Sequence, residues 1–437
     1  MRSILTAIPS SKGHGFKTRT TREVRMKQED VVDILKELMR QVEEGKNIDA
    51  GVQYRMSTSP YVCPDVASKE WDLLFRNHPQ LIGLSGDLPE TGSYMAIDDF
   101  GTPVLATRDN SGQFRAFLNA CRHRAARLTQ EDRGRKNVFT CPFHAWAYSN
   151  AGELVAIPDE DHFGMVDKSC NGLIELPAVE RDGLLWVHPQ PDGDLDIDAL
   201  LGPELAEELA SFNLGEIVYA GNKNLTMNLN WKLANDTFGE TYHFGKLHKN
   251  TLGKIIPGNN LHLEKFGRHH RFVTASRVLP EYKDVPEADW DIHVGAAFVL
   301  YYLFPNITLI PGNGTCTMVK MYPDPDNPGR STSRIMVYLS QAHLDAAEAA
   351  KADGTAAEVS ADTVYEEGNR LPSVEGTMEV FTSTIEYEDY VMGELQQRSA
   401  ESGQLKHVIF GRNEPALHHF HSTFSEVLGL SPLERIE

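Results

Sequence analysis

"CRHRAARLTQEDRGRKNVFTCPFHAWAYS", residues 121–149, holds two cysteines and two histidines in mirrored spacing, Cys121-x-His123 and then Cys141-x-x-His144. Thiolate and imidazole are the side chains that take soft or borderline metals, and two such pairs with 17 residues between His123 and Cys141 form a ligand pattern. Each pair follows a short run of strand character, "QFRAFLNA" before the first and "NVFT" before the second. That predicts both pairs on loops of a β domain, the second shaped by Pro142.

The flanking sequence extends the β reading. From about Tyr54 to Pro189, short runs rich in β-branched and aromatic residues, such as "TGSYMAIDD", "TPVLATRDNSGQFRAFLNA" and "GLLWVHPQPDGD", alternate with turn signals. "DNSG" (109–112) and "SNAG" (149–152) read as hairpin turns. Upstream, residues 1–22 are a polar lead, and then Val31, Ile34, Leu35, Leu38 and Val42 fall at helical spacing with Gly45 as a stop. After Asp198, "LGPELAEELASF" and residues 231–249 read as helical, while "AAFVLYYLFPNITLI" and "TCTMVKMYP" read as strands. The expected fold class is therefore α+β. Residues 1–50 would form a helical segment packed on the C-terminal domain, 51–180 an all-β metal domain, and 181–437 an α+β domain. The Ala-rich, acidic stretch 343–368 reads as a solvated excursion.

A chain of 437 residues, 41% hydrophobic, can bury two cores without staples. A net charge of -20, from Lys+Arg 42 against Asp+Glu 62, argues against nucleic acid or anionic lipid as the main partner. No apolar run reaches membrane-spanning length and the first residues carry no apolar signal core, so the expected location is the cytoplasm. Five cysteines are too few for a secreted disulfide framework. Cys63, Cys170 and Cys316 have no partner at ligand spacing and read as small buried hydrophobes.

Two metal centres use two Cys and two His: a structural zinc site, and a [2Fe-2S] centre with two Cys on one iron and two His on the other. A zinc finger would set its histidines on a helix three to five residues apart, which this stretch does not. A second segment, "NLNWKLANDTFGETYHFGKLHKN" (228–250), gathers Glu240, His243 and His248. Glu240 and His243 stand at i, i+3, on one helical face. His248, five residues on, would be turned about 140° on a regular helix. Convergence of both imidazoles needs a deformed helix, which Gly245 would permit. Two His and one carboxylate make the facial triad of non-haem Fe(II) oxygenases.

Residues 121–146 resemble the Rieske domain of ring-hydroxylating oxygenases, whose C-x-H-R…C-P-x-H-x-W pattern falls on Cys121, His123, Arg124, Cys141, Pro142, His144 and Trp146. Residues 230–248 resemble the mononuclear iron motif of the same family through Asn230, Trp231, Lys232, Glu240, Tyr242, His243 and His248. The family's late E-D-x-x-x-x-E pattern falls on Asp389 within "TIEYEDYVMGELQQ", with Glu386 and Glu388 left as an exposed acidic helix face. "FPN" (304–306) and "FGRNEPALHHFH" (410–421) add to the likeness, the histidine run reading as packing or surface.

The resemblance implies the catalytic alpha subunit of a Rieske non-haem iron oxygenase, with an all-β Rieske domain and a catalytic domain whose antiparallel sheet is helix-grip or START-like. Each subunit would carry a [2Fe-2S] cluster on Cys121, His123, Cys141 and His144, shielded by Trp146 and Phe143. One Fe(II) would sit on His243, His248 and Asp389. Electrons from NAD(P)H would arrive through a ferredoxin and/or flavin reductase, since the chain has no dinucleotide fingerprint of its own. They would pass from a cluster histidine of one subunit through Glu240 to the iron of the next, in a homotrimer or an alpha3beta3 assembly with a small beta subunit. The implied activity is O2-dependent dihydroxylation of an aromatic compound. A departure weakens that substrate class: many family members have Asp where Glu240 stands, and a branch acting on quaternary ammonium compounds uses Glu. A Rieske monooxygenase or demethylase on a non-aromatic or N-methylated substrate is thus the alternative, and a zinc-stabilised binding protein is a third, from another class.

The basic run Arg122, Arg124, Arg127, Arg133, Arg135 and Lys136 either docks an acidic electron donor or is balanced within the protein. Phe244, Leu247, Ile255 and Ile256, with Val299, Tyr301 and Leu303 on a strand, are the expected pocket lining, and their apolar character favours a hydrophobic substrate.

Overall fold

A computed structural model describes residues 26–352, 354 and 374–436. The polar lead at 1–22 lies outside the described residues, as does most of the acidic excursion beyond 352, whose first part is the helix Gln341–Ala352. The chain divides into two compact units: residues 68–200 with 213–219, and the remainder.

The first unit is built from antiparallel strands. Five lie in the order Glu175–Leu176, Phe114–Leu118, Val104–Arg108, Ser93–Ile97 and Arg133–Arg135. A three-stranded sheet joins Val138–Thr140, Ala147–Ser149 and Leu154–Ala156, and another joins Ala178–Arg181, Leu184–Val187 and Gln80–Leu84. Both expected hairpin turns form. In the first, buried Asp109 accepts from the N–H groups of Ser111 (2.8 Å) and Gln113 (2.9 Å) and from Arg115 Nε (2.8 Å). Burial alone would raise its pKa, but hydrogen bonds from Ser111 and Arg115 outweigh it and hold the carboxyl at about 2. In the second, Gly152 has φ 84°, and a Cβ there would lie 2.4 Å from the Phe117 ring, so only glycine fits. The core packs Tyr94, Leu105, Phe117, Leu128, Phe139, Trp146 and Tyr148 around the thiols of Cys121 and Cys141.

The second unit carries a seven-stranded sheet. Six strands from His262–Phe266 to Ser331–Leu339 follow one another in chain order, and Val218–Met227 adds beside the last. The meander pairs are antiparallel. The amphipathic helix Gln28–Glu44 stops at Gly45 (φ 63°) and buries Val31, Ile34, Leu35 and Leu38. It is tied to the sheet by Gln41, which donates to Leu261 O (2.9 Å) and accepts from Leu261 N (2.8 Å).

The expected boundaries at 50/51 and 180/181 both shift. Tyr54–Ser57 pairs with His407–Phe410 and with Glu434–Arg435, so residues 51–67 belong to the second unit. Leu184–Val187 pairs with Gln80–Leu84, so the first unit runs on to 200. Partners so far away in sequence leave no local signal. Of the three spare cysteines only Cys316 is buried; Cys63 is half-buried, and Cys170 is exposed and donates to Asp167 (3.3 Å).

Candidate metal centres

The two cysteine loops share one backbone design. Cys121 N–H donates to Ala126 O (2.8 Å) and Ala125 N–H returns to Cys121 O (2.9 Å). Cys141 N–H donates to Trp146 O (2.7 Å) and Ala145 N–H to Cys141 O (3.0 Å). Both alanines sit in the left-handed region, at φ 58° and 56°. The loops differ in where the histidine falls, two residues after Cys121 and three after Cys141.

This design brings four donors together. Cys121 and Cys141 are buried and unlinked. The rings of His123 and His144 lie 4.5 Å apart between centroids. The Nδ1 atoms of both are buried with no partner among the described residues, an arrangement that costs free energy unless a ligand takes the lone pair. Burial, with the charges of His123 and Arg124, pushes the His144 pKa down, which keeps that lone pair free. Tyr148 is fully buried, its hydroxyl 3.3 Å from Cys121 Sγ and accepting from Arg122 N–H (3.0 Å). Among the described residues one group of three or more such side chains gathers round a single point, and it is not this one. A zinc ion needs its ligands in one tetrahedral shell. Two thiolates and two imidazoles are the donor set of a two-iron cluster with the cysteines on one iron and the histidines on the other.

Trp146 is buried and stacks on His123 (5.1 Å, 13°). Phe143 lies against His144 (3.8 Å) but is 54% exposed, with Arg124 over its ring. It therefore covers the histidine from the solvent side. Phe163, which the sequence reading missed, meets both His123 and Trp146 at 5.2 and 5.4 Å; it belongs to no motif that would have marked it. Four of the six basic residues are paired within the unit: Arg127 with Asp98, Arg133 with Asp87 (2.8 Å), Arg135 with Glu90 (3.0 Å) and Lys136 with Glu131 (2.6 Å). Charge balance accounts for these.

The single-point group is His243, His248 and Asp389. The helix expected over 231–249 ends at Asp236, and turns continue the chain. Lys246 N and Leu247 N both donate to His243 O (2.9 and 2.8 Å), and Thr251 N donates to His248 O (3.0 Å). These tight turns, rather than a bent helix, bring the two rings round. Gly245 is not what permits it: it is absent from the positive-φ residues, and a Cβ there would meet nothing within 4 Å.

His243 Nε2 lies 3.2 Å from His248 Nε2, and Asp389 Oδ1 lies 3.3 and 3.1 Å from the two. The far nitrogens are both held: His243 Nδ1 by Glu240 Oε1, and His248 Nδ1 by Glu388 Oε2 at 2.6 Å. Glu240 Oε2 also accepts from the backbone N–H groups of Tyr242 and of His243 (3.1 Å). Burial opposes charge on His243, but the carboxylates of Asp389 and Glu240 outweigh it and raise its pKa to about 9. His248 is raised too, burial being outweighed by Asp389 and Glu388, and the two imidazoles in turn hold buried Asp389 low. Two imidazole lone pairs and a carboxylate oxygen at one point fit a divalent metal.

Asp389 closes the π-turn Ile385–Asp389, just ahead of the helix Tyr390–Glu401. The neighbouring glutamates do not form an idle acidic face. Glu388 holds His248, and Glu386 pairs with Lys223 (3.2 Å). Phe244 is buried edge-on to both histidines (4.8 and 5.2 Å), and Leu247 is half-buried nearby in the chain.

The strand candidates share one face of their strand. Tyr301 pairs in register with Arg271, and its hydroxyl donates to Glu208 (2.5 Å) on the helix Pro203–Ala210. The opposite face, through Leu300, Tyr302 and Thr308, lines a cavity with Asn235, Phe238 and Phe420. Val299 and Leu303 go with Tyr301 by the two-residue period. A strand buried on both faces, as "AFVLYYL" is, shows no alternation from which to choose. Asp236 accepts from Tyr61 (2.9 Å) and His421 (2.8 Å), which makes His421 a packing residue.

A model of the Rieske [2Fe-2S] domain matches residues 78–175, and one of the ring hydroxylating alpha subunit (catalytic domain) matches residues 214–429. The chain is 26% identical over 267 residues to the anthranilate 1,2-dioxygenase large subunit of Acinetobacter baylyi (60% of this chain, 56% of that one). It is 28% identical over 198 residues to the glycine betaine monooxygenase oxygenase subunit of Chromohalobacter salexigens (45% and 43%). The chain thus spans about half the length of the curated relatives it matches. Among solved structures, a quaternary ammonium Rieske monooxygenase in complex with L-carnitine is similar with a TM-score of 0.67 at 18% identity, over 86% of this chain and 96% of that one. Naphthalene 1,2-dioxygenase from Rhodococcus sp. gives 0.63 at 15%, over 91% and 98%. At such identities the likeness is one of fold.

Proposed function

Because the chain belongs to the ring-hydroxylating oxygenase alpha-subunit family, joining a Rieske domain to that family's catalytic domain, we propose that it is the terminal oxygenase of a multicomponent system. It hydroxylates an aromatic compound with O2, as a dihydroxylation, using electrons from NAD(P)H delivered by a ferredoxin and/or flavin reductase. The carrying observation is that His243, His248 and Asp389 converge within 3.3 Å in a chain that also buries the two-Cys, two-His set.

When bound, the cluster supplies one-electron transfer and the ferrous ion supplies O2 activation. The protein's part is to hold ligands and protons. Cys121, Cys141 and the Nδ1 atoms of His123 and His144 would hold the cluster, which would leave Nε2 of each imidazole to carry the proton. Glu240 fixes the Nδ1 proton of His243, so that the Nε2 lone pair faces the iron position. As the bridge between subunits, it would meet a cluster histidine of a neighbouring copy in a homotrimer or an alpha3beta3 assembly. Trp146 and Phe143 shield the cluster, and Phe244 and Leu247 border the substrate. Among the described residues no helix is long and apolar enough to cross a membrane, and we place the enzyme in the cytoplasm.

A second reading, a monooxygenase or demethylase on a quaternary ammonium substrate, is favoured by Glu240 in the bridging position and by the fold neighbour that binds L-carnitine. The test uses purified protein, reduced without air and then given O2 with a panel of aromatic acids, hydrocarbons and betaines. Diols from aromatic members are expected. Products from betaines alone would replace the first reading by the second, and a colourless protein without acid-labile sulfide would exclude both.

A further inference from the structure

Two carboxylates besides Asp389 touch the three-ligand group, and the proposed function uses only Glu240. We propose that Glu388 is a second positioning residue: it holds the Nδ1 proton of His248 and so keeps the Nε2 lone pair of that ring aimed at the point shared with His243 and Asp389. This rests on reading that point as a ferrous site.

The geometry is specific. Adjacent residues on a regular helix project about 100° apart. Here Glu388 and Asp389 grip opposite nitrogens of one ring, Oε2 to Nδ1 at 2.6 Å and Oδ1 to Nε2 at 3.1 Å. The π-turn Ile385–Asp389 is where the chain makes that possible, and such turns cluster at functional sites. The carboxylate is itself pinned, because Thr251, three residues beyond His248, donates to the same Oε2 at 2.9 Å. His248 is 1% exposed, so with Glu388 in place its Nδ1 is covered from solvent.

The chemical consequence concerns the tautomer. A neutral imidazole has one N–H, and the nitrogen that carries it cannot bind a cation. A carboxylate at Nδ1 only accepts, which places the proton there and frees Nε2. An amide in its place can accept or donate. When it donates, Nε2 takes the proton and the ligand is lost. The glutamates on either side are engaged elsewhere: Glu386 pairs with Lys223, and Glu394 accepts from Asn228 N (2.9 Å).

The test uses the full chain with its cluster in place, the mononuclear metal removed by chelation, and Co2+ added back while its absorption bands are followed. Glu388→Gln is expected to weaken Co2+ binding roughly 10–100-fold, with the cluster spectrum and unfolding temperature unchanged. Thr251→Val, which frees the carboxylate and drops a long bond from the hydroxyl to His248 O (3.4 Å), should show a smaller loss, and Glu394→Gln on the helix that follows none. Unchanged affinity in Glu388→Gln overturns the proposal, as does an equal loss in Glu394→Gln, which would mean general loosening of the helix. If Glu388→Gln does not fold, Thr251→Val decides by the same criterion. Wild-type protein that binds no Co2+ overturns the ferrous reading itself, an outcome distinct from a variant that binds as wild type does.

Discussion

The two ligand groups present their imidazoles in opposite senses. At 121–144 the Nδ1 atoms of His123 and His144 are the buried ones, without a partner among the described residues. At 240–389 the Nδ1 atoms are anchored by carboxylates, and the Nε2 atoms of His243 and His248 meet at 3.2 Å. The first site is set by backbone: two loops of one design place its donors, and the Tyr148 phenol lies 3.3 Å from Cys121 Sγ. The second is set by side chains, with Glu240 and Glu388 choosing the proton position on each ring. The difference shows two ways of readying a histidine for metal, one by leaving an atom without a partner and one by occupying its opposite end.

If the sites are independent, each can be removed alone. Asp389→Ala should abolish product formation while the cluster absorption persists. Cys141→Ser should remove that absorption while Co2+ uptake at the other site remains; loss of both in either variant would deny the separation. Next in size is Glu240→Gln, whose turnover should fall roughly 10–100-fold even with iron supplied to saturation; unimpaired turnover would refute the bridging role. A subtler contrast is Tyr148→Phe, which deletes the 3.3 Å contact to Cys121 Sγ. Losing about 1 kcal/mol of hydrogen bonding to the sulfur should lower the cluster potential by roughly 50 mV in a redox titration. The smallest effect is expected of Gly245→Ala, where a Cβ meets nothing. Its stability should stay within about 0.5 kcal/mol of wild type by thermal unfolding, and a larger loss would restore a conformational role to that glycine.

The same contrast explains what the amino-acid sequence disclosed. The cluster donors lie within 24 residues on loops between hairpins, so their spacing alone marked them. The iron histidines and Asp389 are separated by well over a hundred residues, and only family likeness linked them. Glu388 looked like surface because its partner, His248, is 140 positions away. Tyr54 gave no sign of its partner Phe410 for the same reason, which misplaced a domain boundary. The helix expected to run past Asp236 failed differently: apolar residues at helical spacing do not show where hydrogen bonds tighten into turns. Tyr301 and Tyr302 are both buried, so the strand offers no alternation from which a pocket face could be read.

The interleaving of the two units bears on how the molecule is made. Every residue of the cluster unit precedes residue 220, whereas Tyr54–Ser57 of the other must wait for His407–Phe410 and then Glu434–Arg435. At ordinary ribosomal rates, the stretch from 219 to 407 takes roughly 10–40 s to synthesise. Chains arrested shortly after residue 260 should already resist proteases across 68–200, and lability there would contradict this order. On that order the nascent chain would complete the unit carrying its four cluster donors while its own first strand still waits for a partner.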